Sequence, residues 1–417
     1  MQTALTLCLN NKMSNSKRFS ALSYRDFRLF WFGQIISITG TWMQSVAQGW
    51  LVYSLTKSPF YLGMVAASAS LPILLFTLPA GVLADRVPKR NLLLYTQGFS
   101  VVPALILGVL TSLKMIAVWQ VALLAAVLGT INAVDIPTRQ SFLAEMVGRG
   151  QVANAIALNS AAFNGARVIG PMIAGLVIAS LGIPACFFLN ALSFGAVILA
   201  LSKMKTKGDI RVKSEGMIKD FRKGIGFVKG DREIVAVISL IGVLSLAGLP
   251  YISLLPVFAG DVFHKGATGY GFLMGASGIG ALTAAVGIAA RRSIENPLQM
   301  MSVAVLFFST ALIAFSVSRI FWVSLVIIML GGWGMVSYLA LANSFIQMSV
   351  PDELRGRVMS LYSFVFLGTV PIGNAIMGAV ADRIGTTHAV TVGGIICITA
   401  AAVFSRKYRR KETKAPG

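Results

Sequence analysis

Side chains able to do covalent chemistry are few and scattered. Three cysteines, Cys8, Cys186 and Cys397, and two histidines, His264 and His388, are spread along the chain with neither disulfide-framework nor metal-ligand spacing. No nucleophile stands at a spacing that would pair it with a base, so enzymatic chemistry is disfavoured and no cofactor is expected. What remains is charge held where charge is costly. Arg167 follows Asn154 by thirteen residues inside a long apolar run, about 20 Å along a helix at about 1.5 Å per residue. A cation at bilayer mid-depth costs about 2.5–3.5 kcal/mol, so it must face a cavity or a partner. Ser160, Asn164 and Arg167 are spaced by four and three residues and share one helical face. Either Arg167 attracts an anion into a central site, or it is satisfied by neighbouring carbonyls and hydroxyls. The first reading is preferred, because ionisable groups within membranes are usually functional.

The elements that must position it are membrane helices. Of 417 residues 56% are hydrophobic and only 12% charged, which is the composition of a polytopic membrane protein. The bilayer is its first partner. At about 20 apolar residues per span, twelve spans are expected near 28–54, 60–84, 91–112, 116–137, 152–181, 184–202, 233–259, 268–290, 297–317, 321–348, 357–381 and 388–405. The layout is an N-terminal tail over 1–27, six helices over 28–202, a basic linker over 203–232, six helices over 233–405 and a basic tail over 406–417. No cleavable signal is visible at the N-terminus, and Met13 could equally serve as a start, leaving residues 1–12 an upstream extension.

The formal charge of +21 would suggest nucleic acid in a soluble chain, but the basic residues sit between apolar runs. Nucleic acid is therefore not an expected partner. With the termini inside, thirty of the 36 Lys and Arg are cytoplasmic, five are external (Lys57, Lys114, Lys265, Arg319, Arg383), and Arg167 lies in a span. The positive-inside rule thus predicts a cytoplasmic-membrane protein with both termini cytoplasmic.

Helix one adds a polar stripe, Gln34, Ser37, Thr41, Gln44 and Gln48, on one side of an apolar helix. Such a stripe faces protein or water and is assigned to a substrate cavity. Trp333, Tyr338, Tyr362 and Asn374 are weaker candidates from the second half, as apt to make interhelical hydrogen bonds. Residues 139–182 and 342–385 share 13 identities in 44 ungapped positions, among them five glycines or serines at matching places. The fifth and eleventh helices are copies running in one direction, which implies parallel halves with a site between them. Val370 matches Arg167, so the fold itself does not require a cation there.

Between spans two and three stands Gly81-Val-Leu83-Ala-Asp85-Arg86-Val-Pro88-Lys89-Arg90. It resembles the loop 2/3 signature of the major facilitator superfamily, with Pro88 in place of glycine and Lys89 in place of arginine. The resemblance implies an all-α membrane protein with twelve transmembrane helices in two six-helix halves related by a parallel repeat. It also implies a cytoplasmic gating motif of Gly81, Asp85, Arg86, Lys89 and Arg90, with Asp85 docking near the start of helix eleven and Lys89 pairing with Asp135. The copy at 284–293 keeps Arg291 and Arg292 but lacks the acid.

Ala166, Gly170, Pro171, Ala174 and Gly175 in helix five look like the superfamily's antiporter motif, which tilts direction towards export. Gly378-Ala-Val-Ala-Asp382-Arg383 resembles the loop signature too, but the span count places it outside, where a solvated turn is expected. Phe27-Arg-Leu-Phe-Trp31, Leu51 to Gly63, Asp135-Ile-Pro137-Thr-Arg139-Gln140 and Ala157-Leu-Asn159-Ser160 are similar to the enterobactin-exporter and secretion-effector branch. What that implies is a secondary transporter, a monomer, exporting a small siderophore-like or drug-like molecule by alternating access, with protons as a candidate coupling ion. No acid lies mid-membrane, and Asp135, the deepest, reads as structural rather than proton-carrying. Import of a small anionic metabolite, or a non-transporting receptor or assembly factor, are the alternatives.

Overall fold

The computed structural model describes residues 20–209, 225–291 and 296–412. The possible alternative start at Met13, part of the linker and the extreme C-terminal tail lie outside them. Twelve long helices follow one another: α1 Arg25–Thr56, α2 Pro59–Arg86, α3 Lys89–Ser112, α4 Val118–Met146, α5 Val152–Leu181, α6 Ile183–Lys203, α7 Arg232–Val262, α8 Gly266–Ala289, α9 Pro297–Val317, α10 Phe321–Ser349, α11 Asp352–Ile384 and α12 Thr386–Glu412. Eleven are long and apolar enough to cross a membrane, and α1, 32 residues long, is the one whose polar stripe dilutes its apolarity. Because the number of long helices among the described residues is even, α1 begins and α12 ends on one face, called here the terminal face; the other is the distal face.

Local chemistry sets the ends. Asp231 caps α7 by accepting from the backbone N–H of Glu233 at 2.8 Å and of Ile234 at 3.1 Å. Proline opens α2 and α9, where its missing N–H has no helical partner to lose. Gly182 and Gly385, both at φ 87°, end α5 and α11, the matched position of the repeat. Within α7, π-helical turns at Leu244–Gly248 and Phe258–Val262 interrupt the α-helix.

The helices also overrun the expected spans. Asp85 and Arg86 close α2 while Lys89 and Arg90 open α3, so only Val87 and Pro88 lie between. Charged residues need water, but a helix does not have to stop at the bilayer surface.

The two six-helix halves meet where α2 packs on α11 and α5 on α8. Glycine makes these crossings close: a Cβ on Gly378 would lie 3.0 Å from the Gly63 Cα, and one on Gly271 would lie 3.1 Å from the Gly175 Cα. These contacts run from the middle of the helices to the distal face. Toward the terminal face α2 and α11 part around a cavity of about 280 Å³, lined by Ile73, Leu74 and Thr77 on one side and by Gly356, Met359 and Phe364 among others on the other.

Candidate substrate site and gates

Arg167 is half-buried at the middle of α5, beside the crossing with α8, where a Cβ on Gly278 would lie 2.9 Å from the Arg167 carbonyl oxygen. Its guanidinium lies 5.8 Å from the ring centroid of Trp42 in α1, a cation–π contact. Phe163 meets Trp42 edge-on at 5.9 Å. From the opposite half, Tyr251 of α7 is within electrostatic reach of Arg167, and its hydroxyl is 3.0 Å from that of Ser277. Among the described residues no carboxylate pairs with Arg167. The cation is cushioned by the Trp42 face but not neutralised, and an added anion would neutralise it.

One turn toward the terminal face Asn164 is half-exposed and two turns away Ser160 is exposed, the amide of Asn164 donating to the Ser160 carbonyl oxygen at 2.9 Å. The face shared by Ser160, Asn164 and Arg167 therefore becomes more accessible toward the terminal face.

The stripe of α1 divides. Thr41 and Gln48 reach solvent, but Gln34, Ser37 and Gln44 are buried at 1%, 2% and 4% exposure and do not line an open cavity. Ser37 Oγ donates to Gln97 of α3 at 3.4 Å, and Asn190 of α6 donates to Gln44 at 2.7 Å. Neighbouring helices of the same half supply partners, so the polar groups turn into the bundle. Neither amide atom of Gln34 has a partner. Asn190 and Gln97 escaped the sequence reading, although a lone amide inside an apolar span signals an interhelical bond.

In the second half, the Tyr338 hydroxyl is buried and donates to the Val237 carbonyl at 3.0 Å, and Trp333 stacks edge-on against Phe307 of α9 at 5.5 Å. Both turn into their own half rather than toward the other. Tyr362 is half-buried, at 3.5 Å from the Leu339 carbonyl, and Asn374 accepts from Ser253 at 3.3 Å. Asn374 also presents its backbone to Gly63 across the interface.

The helix-five motif is a packing surface. Ala166, Gly170, Pro171, Ala174 and Gly175 are all buried. Gly170 meets the Thr39 carbonyl of α1, 2.8 Å from where a Cβ would sit, and Gly175 meets that of Ala267 in α8 at 3.0 Å. Small residues thus let α5 lie between a helix of each half.

At the terminal face, Lys89 does not pair with Asp135. It is 1% exposed and bonds Glu145 at 3.0 Å, while Asp135 pairs with Arg139, its own neighbour one turn on. The reason is depth: Asp135 lies ten residues, about 15 Å, further into α4 than Glu145. Thr96 and Gln97 of α3 also donate to Asp135, each at 2.8 Å.

Lys89 donates as well to the Asp209 carbonyl, and Arg90 to those of Leu201 and Ser202 at 2.7 and 2.9 Å. The basic end of the motif therefore holds the start of the linker to the first half. Lys89→Ala should destabilise the protein by about 3–5 kcal/mol through the stranded Glu145. A melt in detergent checks this, with the Lys89→Ala/Glu145→Ala pair melting nearer to wild type.

Asp85 does not dock on helix eleven in this state. Among the described residues it makes no hydrogen bond or ion pair, Arg86 is exposed, and a Cβ on Gly81 would meet nothing within 4 Å. At the start of α11, Asp352 pairs with Arg355 of its own helix at 2.5 Å. On the distal face hydrogen bonds join the halves: Tyr53 donates to Asp261, Ser58 to Asp382 at 2.6 Å, and Thr268 to the Gly175 carbonyl at 3.2 Å. Asp382 is exposed, as expected of this segment, but it lies in the last turn of α11 rather than in a loop, and it is bonded across the interface. The structure is closed at its distal face and open at its terminal face.

A profile of the transmembrane secretion effectors, within the major facilitator superfamily, matches residues 16–415. The chain belongs to that family. It is 26% identical over 390 residues to the staphyloferrin A transporter of Staphylococcus aureus, covering 92% of this chain and 97% of that protein. It is 22% identical over 402 residues to macrolide efflux protein A of Streptococcus pyogenes, covering 93% and 98%.

Among solved structures, a bacterial homologue of the iron transporter ferroportin in an inward-facing state superposes with a TM-score of 0.70 at 16% identity, covering 92% of this chain and 98% of that one. A bacterial homologue of the lysosomal transporter Spinster, inward-facing and unoccupied, gives 0.71 at 12%, covering 93% and 98%. These likenesses carry the fold. The chain is a multi-pass membrane transporter of the major facilitator fold.

Proposed function

We propose that this chain exports a small organic anion across the cytoplasmic membrane by alternating access, as a monomer whose site lies between its two halves. The observation that carries the reading is Arg167, mid-membrane, placed between Trp42 and the other half, with no carboxylate partner among the described residues. The terminal face is cytoplasmic in this reading, because thirty of the 36 Lys and Arg lie on that side. The cavity then opens to the cytoplasm, as loading for export requires. Relatives named for staphyloferrin A transport and macrolide efflux support a small organic cargo.

Substrate enters from the terminal face, passes Ser160 and Asn164, and brings its negative charge to Arg167. Trp42 and Phe163 offer flat apolar walls to the rest of the molecule. Proton antiport is the coupling considered, and Asp135 is its deepest carboxylate; its bonds to Thr96, Gln97 and Arg139 favour a structural role.

Cargo is identified first, as the anionic compounds that a deletion strain fails to release. Arg167→Ala is then expected to weaken binding of that anion by about tenfold or more, with Arg167→Lys keeping part of it and melting temperature unchanged. Equilibrium binding to purified protein in detergent is the measurement. Unchanged affinity of Arg167→Ala for the anion would remove Arg167 from the site.

A further inference from the structure

The hexapeptide Gly-x-x-Ala-Asp-Arg occurs twice, at Gly81–Arg86 and at Gly378–Arg383. The first copy ends α2 and the second ends α11, and these two helices run antiparallel against each other across the interface. The copies therefore sit at opposite faces of one helix pair. In this structure the distal copy is engaged and the terminal copy is free.

Gly378 lies in the crossing, where a Cβ would be 2.9 Å from the Pro59 carbonyl oxygen and 3.0 Å from the Gly63 Cα. Asp382 accepts from Ser58, the residue just before α2, at 2.6 Å. Gly81 has nothing within 4 Å of its Cβ position, and Asp85 has no partner among the described residues.

We propose that the Gly378–Arg383 segment is the distal-face latch of this transporter, engaged when its copy at the end of α2 is released. Among the described Asp and Glu, only Asp261 and Asp382 lie on the distal face, and each accepts a hydrogen bond from a hydroxyl of the other half. A carboxylate acceptor makes such a bond about twice as strong as a neutral one. Midway along the pair, a Cβ on Gly368 would touch Leu74 at 3.1 Å. Beyond that contact the α2/α11 gap widens into the cavity at the terminal side. Two stiff helices rocking about the Leu74–Gly368 contact cannot be closed at both ends, so shutting the cavity pulls Gly378 from Gly63 and Ser58 from Asp382.

Distances between paired spin labels test this in the full chain. Lys114 and Arg319, exposed on the distal face of the two halves, report its opening, and Asn91 and Met348 report the terminal face. Cys186 and Cys397 are fully buried, so Cys8 alone is replaced. Asp382→Asn and Ser58→Ala should each raise the ratio of distal-open to distal-closed protein about tenfold, with the terminal pair moving closer, and the double variant should add little. Ser58→Ala removes one hydroxyl and keeps the test open should Asp382→Asn misfold. Both variants are repeated in a Tyr53→Phe background, which removes the parallel bond to Asp261. Distance distributions unchanged even there would overturn the proposal, as would distal opening without terminal closure.

Discussion

Gly271→Val should abolish transport while leaving the protein folded in the membrane. A Cβ at this position would overlap the Pro171 carbonyl and come within 3.1 Å of the backbone of Gly175. Neither obstacle is a flexible side-chain end, so the clash is relieved only by moving α8 away from α5. Each half keeps its own packing, because the contact lies between halves. Overpacking of this kind costs about 1–3 kcal/mol, which moves the balance between distal-closed and distal-open forms about 5- to 150-fold. A cycle that cannot return to the distal-closed form stops. Substrate flux in vesicles falling to background, with normal yield and a longer 114–319 label distance, is the expected result; flux near wild type would show that this crossing is not needed.

Asp135→Ala should be strongly destabilising, on a par with Lys89→Ala. The carboxylate is 1% exposed and holds together Thr96 and Gln97 of α3 and Arg139 of α4, with Ser37 of α1 bonded to Gln97 behind them. Arg139 already has an unpartnered Nε, and losing Asp135 strands the whole cation. Breaking a buried pair from one side costs about 3–5 kcal/mol. A lower melting temperature checks this. Asp135→Asn separates structure from coupling. If the residue is structural, Asn lowers stability and flux together. Exchange of substrate without proton-driven flux, at near-normal stability, would instead make Asp135 the proton carrier.

The fold was legible because lipid imposes one requirement on every span, a run of about 20 apolar residues. The glycines shared by 139–182 and 342–385 made the parallel halves visible as well. Gly170, Gly175 and Gly378 then prove to be places where backbones touch. The partners of polar residues were not legible. Gln34, Ser37 and Gln44 share a face with Thr41 and Gln48, but a helical period says nothing of which neighbour that face meets. Asn190 and Gln97 supplied the answer from 146 and 60 residues away.

Lys89 went to Glu145 because depth along α4, not charge type, decides which acid it can reach. Asp382 lies exposed beyond the membrane span as the span count has it, but in helix and hydrogen-bonded to Ser58, because α11 runs on to Ile384. The repeated hexapeptide was in view, and its meaning required knowing that α2 and α11 face each other. Arg167 was found because a cation in a membrane span is conspicuous in any sequence.

The central claim is tested most directly by flux in inside-out vesicles, using the anion that the deletion strain fails to release. The account predicts accumulation inside vesicles carrying the wild-type chain, and loss of most of that accumulation at low substrate concentration in Arg167→Ala. Accumulation in right-side-out vesicles instead, or export of the anion equal in wild type and Arg167→Ala, would contradict it.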